Sequence, residues 1–134
     1  MYTVTVGTGR LIEARLVSLA DVDEVVRFEG AMAQAFAAVP GRSVICADWR
    51  QANILPPPIA ERLIALLQRG NPHVERSALL LARAHATFNL QVERLVREAK
   101  NPARRTFRDA ESMVAFLSEV LTPAETAHAR AFLG

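Results

Sequence analysis

Two short, unbroken apolar runs constrain this chain more than any other feature: Ser43-Val44-Ile45-Cys46-Ala47 and Ser77-Ala78-Leu79-Leu80-Leu81-Ala82. A strand with one wet face alternates apolar and polar residues, whereas an unbroken run asks for cover on both faces. The stretches around the runs supply that cover as helices. After Ser18, a candidate N-cap, come Asp21, Asp23 and Glu24, then Val22, Val25, Val26, Met32, Ala33 and Phe36 at helical spacing, stopped by Pro40-Gly41. Between the runs, Ile59, Leu63, Leu66 and Leu67 line one face of a second helix. Its entry is Pro56-Pro57-Pro58, since proline suits a first helical turn, and Gly70-Asn71-Pro72 ends it. Thr87 is placed to cap a third helix with Phe88, Val92, Leu95, Val96 and Ala99 on its apolar stripe. There Glu93 and Arg97, and Arg94 and Glu98, are spaced to pair.

The two ends complete the pattern. Tyr2, Val4 and Val6 alternate with threonines, Gly7-Thr8-Gly9 is a turn, and Arg10–Val17 alternates again, which reads as a β-hairpin. Arg104–Arg108 is a short last strand around Phe107. Asp109 then caps a helix bearing Met113, Val114, Leu117, Val120 and Leu121. Thr122-Pro123-Ala124-Glu125 is a capping box that starts a short extra helix at about 123–133. The expected class is α/β: a small mixed sheet opening with an antiparallel β-hairpin, then alternating strands and helices. The 134 residues fit a single domain, 1–134, with no linker or repeat.

Little in the sequence announces catalysis, and the chain is expected not to be an enzyme. Cys46 is the only cysteine and falls within a buried run, where a thiol is an inert small hydrophobe. His73, His85 and His128 have no one-turn spacing to each other, so no metal is expected. No glycine-rich phosphate loop precedes a helix and no Gly-x-Ser-x-Gly elbow occurs, so no cofactor is expected. The net charge of +2 is carried by scattered arginines, Lys100 being the sole lysine. That bias fits a GC-rich genome, and no nucleic-acid partner is expected. No apolar segment approaches the roughly 18 residues of a membrane span. With no basic-then-apolar leader, a cytoplasmic location is expected.

Open α/β sheets form crevices at the carboxyl ends of their strands. Asp48, Trp49 and Arg50 follow the first apolar run, and Arg83 and His85 follow the second. The first group, with Pro56, Pro57 and Pro58, is the candidate partner-binding surface; Arg83 and His85 are a candidate ligand pocket.

The element order, the apolar strand ending at Asp48, and the later segments Val74–Leu81 and Arg105–Glu111 together resemble the STAS domain, the fold of SpoIIAA-like anti-sigma-factor antagonists. The resemblance covers about Tyr2 to Leu121. It implies a noncatalytic bacterial regulatory module that binds a protein partner or a second copy of itself. Members switched by phosphorylation carry a serine motif where this chain reads Ile54-Leu55-Pro56-Pro57-Pro58-Ile59. Without a hydroxyl there, switching by serine phosphorylation is not expected. The alternative reading is a small-molecule or lipid binder with an apolar cavity between the sheet and the helices at 21–38 and 86–100.

Overall fold

In a computed structural model describing residues 1–134, the chain folds in the order β1 (Tyr2–Thr8), β2 (Leu11–Leu16), α1 (Val22–Ala38), β3 (Ser43–Asp48), α2 (Pro57–Gly70), β4 (Val74–Leu80), α3 (Ala86–Ala99), β5 (Arg104–Phe107), α4 (Ala110–Ser118) and α5 (Pro123–Leu133). The five strands lie side by side in sequence order. β1 and β2 are antiparallel, and every later pair is parallel. The expected class is therefore the observed one. β3 and β4 are neighbours, with Cys46 opposite Ala78.

Because the strand order runs one way across the sheet, right-handed crossovers put α1, α2 and α3 on one face. Their core includes Ile12, Leu16, Phe28, Ile45, Leu63, Leu79 and Leu95. α4 and α5 cover the other face, over Leu11, Val44, Cys46, Ala78, Leu80, Met113 and Leu117. Alternate residues of β3 serve opposite cores, which is why its apolar run is unbroken.

Local chemistry moves several boundaries. Ser18 does not cap α1; its backbone carbonyl and hydroxyl accept from the Met1 amine at 2.6 and 3.2 Å. Asp21 is the cap, accepting from the Glu24 amide at 2.8 Å. Thr87 lies inside α3, which starts at Ala86 without a side-chain cap. Asn89 stabilises the approach instead, donating to the Ala82 carbonyl at 2.6 Å. A 3-10 turn at Asn71–His73 delivers the chain into β4, so that strand begins before Ser77. α4 stops at Ser118, short of Leu121. Arg94 does pair with Glu98, at 3.3 Å. Glu93 reaches across to Thr106 and Arg108 rather than to Arg97.

The capping box of α5 forms, and Glu125 does more than close it. The Glu125 carboxylate also accepts from the Arg10 amide at 2.9 Å, tying the hairpin turn to the helix start. The turn comes this close because Gly9 has φ of +56° and no Cβ to strike that carboxylate.

Candidate functional site

The expected partner surface at the end of β3 is largely occupied by the chain itself. Asp48 is buried and takes Arg50 in a two-pronged grip, Nε to Oδ1 and Nη2 to Oδ2 both at 3.0 Å, while Arg15 Nε reaches Oδ2 at 3.3 Å. The same two arginines close the end of α5. Arg15 donates to the Phe132 carbonyl at 2.8 Å and Arg50 to the Leu133 carbonyl at 2.7 Å. Two cations at a helix C-terminus answer its orphan carbonyls and its negative end. Burial acts to raise the Asp48 carboxyl, but the hydrogen bonds from Arg50, then its charge and Arg15, hold it below its ordinary value. Asp48 and Arg50 therefore anchor α5 rather than face solvent as a pair.

Trp49 is also not where a docking residue belongs. Only 4% exposed, it packs into the core under α1 and α2. Arg83 and His85 are exposed on the loop before α3 and contribute to neither of the hollows described below. Pro56, Pro57 and Pro58 remain exposed, with Pro57 as the first residue of α2. Beside them Ile54 is 61% exposed, and Leu90 on α3 is 72% exposed. Paired bonds between Leu55 and Gln91, at 2.9 and 2.8 Å, fix this corner.

The hollow lies elsewhere. A cavity of about 50 Å3 sits between the sheet and α1–α2. Phe28, Met32 and Phe36 line it from α1, and Leu63, Leu66, Leu67 and Gly70 from α2. The sheet side is Ala14, Ile45, Ala47, Ser77, Leu79 and Arg104, with Trp49 just beyond β3. α3 takes no part, contrary to the expectation that the 86–100 helix would form a wall. Phe36, Leu66 and Gly70 are shared with an outer groove of about 330 Å3, which also carries Glu29, Arg69 and His73. His73 stacks on Phe36 with ring centres 5.3 Å apart. Since Gly70 and His73 immediately precede β4, the groove opens toward the amino ends of the strands, away from Asp48, Arg83 and His85.

Arg104 is the residue that sequence reasoning missed. It opens the short last strand, where an arginine ordinarily stays in water. In the fold it is 4% exposed, beside its register partner Ser77. Its Nη1 donates to Asn71 Oδ1 at 2.9 Å, and its Nε has no partner in the protein. None of the ion pairs includes it. Burial pulls the guanidinium down to about 10, which leaves it cationic at neutral pH. The available signal was parity: Arg104 lies on the face of β5 opposite Phe107, and that face is also covered by helices.

Cys46 faces the other core and is fully buried. Burial, reinforced by Glu13 and Asp48, pushes its thiol up to about 12, so it offers no thiolate nucleophile at neutral pH. His128 approaches the buried carboxylate of Glu13 at 3.4 Å, also on the α5 side of the sheet. No helix is long and apolar enough to cross a membrane. Compared with known proteins, the chain matches no family model, no curated protein and no solved structure.

Proposed function

We propose that this chain is a noncatalytic binding module of STAS-like type that takes a small apolar ligand between its sheet and α1–α2. The observation that carries the reading is the apolar cavity, which shares Phe36, Leu66 and Gly70 in its wall with the outer groove. Ligand sites are typically concave and mostly apolar, with a few placed polar groups. Core voids left by packing alone are few and small.

Trp49, the only tryptophan, lines the cavity and reports on its contents. Titration with 1-butanol, 1-hexanol and benzene is expected to give a saturable change in its emission. Gly70→Leu, which places a side chain in the wall that cavity and groove share, is expected to abolish that change. An unsaturable response in the native chain would end the reading.

A second reading, docking of a protein partner or a second copy, is favoured by the exposed Ile54, Leu90 and triple-proline corner. A rigid apolar corner loses little entropy on docking. Sedimentation equilibrium of the native chain against Ile54→Asp/Leu90→Asp tests the self-association form. Identical monomer masses for both chains would remove it.

A further inference from the structure

We infer that the ligand is a small apolar carboxylate, held with its acid head against Arg104 and its hydrocarbon body among the cavity walls toward the groove. The inference rests on the binding reading above and specifies its chemistry.

It starts from an imbalance of charge. A buried cation without a counter-charge is among the costliest features a fold can carry. Arg15 on β2 and Arg50 just after β3, though more exposed, share Asp48. Arg104 is 4% exposed, yet its one protein acceptor is the neutral amide oxygen of Asn71, and Nε is left without any. That same Asn71 oxygen is shared with Asn101, whose amide reaches it at 3.2 Å. An incoming anion is the group that answers both the charge and the idle donor. Guanidinium forks match carboxylates in shape as well as charge.

The remaining walls set the rest of the molecule. Apart from Ser77, whose hydroxyl adds a second polar group beside Arg104, and Gly70, the lining is hydrocarbon, aromatic or thioether. A doubly charged phosphate head would find one cation there and no second. A volume of about 50 Å3 admits a carboxylate and a few carbons, and a longer tail would have to displace Phe36 or Leu66, the side chains that the cavity shares with the groove.

The test compares hexanoate, 1-hexanol and formate by Trp49 emission and titration calorimetry at pH 7. Hexanoate is expected to bind about tenfold or more tighter than 1-hexanol, the range of a charge-assisted hydrogen bond. Formate is expected to bind more weakly than hexanoate. In Arg104→Met the preference for the acid is expected to vanish while 1-hexanol still binds; in Arg104→Lys it is expected to survive in part. Equal, saturable binding of hexanoate and 1-hexanol by the native chain overturns the inference and leaves the apolar-cavity reading standing. Saturation by neither overturns both. Formate binding as tightly as hexanoate reduces the site to a simple anion hole and overturns the apolar part. The native-chain comparison decides even if Arg104→Met fails to fold.

Discussion

At the scale of single residues, Gly70 shows how far stability and binding can be separated. It closes α2 with φ of −75° and ψ of −21°, ordinary helical values that any residue adopts. A methyl added there would meet Phe36 at 3.5 Å, a normal contact. Gly70→Ala is therefore expected to raise unfolding stability by about 0.5–1 kcal/mol, measured by urea titration, through lower unfolded-state entropy. The same methyl thickens the wall that groove and cavity share, so apolar probes are expected to enter more slowly in stopped-flow traces of Trp49. Residues of this kind were poorly legible in the sequence. Trp49 follows the first apolar run and Arg104 opens the short last strand, and only the packing of helices over both sheet faces buries them. Ser18 and Thr87 have the right chemistry for caps, but the choice of Asp21 and the bare start of α3 depend on where the chain enters each helix.

At the scale of elements, order and type were legible because each has its own period. The alternating hairpin, the unbroken runs and the amphipathic stripes of α1 to α4 all come from local pattern. The seat of α5 was not legible, since it depends on two arginines far away in sequence. Arg15 and Arg50 grip the Phe132 and Leu133 carbonyls while sharing Asp48. Arg50→Ala removes one donor to α5 and leaves Asp48 with the backbone amide of residue 50 at 3.1 Å and Arg15 at 3.3 Å. The expected loss is about 1–2 kcal/mol of stability, with faster hydrogen exchange confined to the last turn of α5. Exchange unchanged at residues 130–134 would show that the grip does not hold the helix.

At the scale of the whole molecule, stability is set against acid. Asp48 is held below its ordinary 3.8 despite the opposing pull of burial, by Arg50 and Arg15. Asp109 is lowered by the Ser112 amide it caps, and Glu24 by the Met1 amine. Glu125 is lowered from 4.5, against burial, by the Thr122 and Arg10 amides. A carboxyl depressed on folding contributes stability that is complete above its unfolded value and is lost as pH falls through its folded one. Urea midpoints are therefore expected to be flat from about pH 5 to 7 and to fall steeply below about pH 4. Asp48→Asn should start lower at neutral pH and fall with a shallower slope. A slope equal to the native one would mean that Asp48 titrates alike in folded and unfolded chains. Which helices share a face follows from strand order, which no local pattern records.

The unbroken run of β3 has a practical consequence. The lone thiol and the lone indole sit an odd number of positions apart, so each looks into a different half of the interior. Nature has thus installed one private reporter per slab of helices, with no engineering needed. Timing of alkylation at Cys46 against quencher access to Trp49 would show whether the α4–α5 cover can peel away while the other layer stays shut, or whether both open as one.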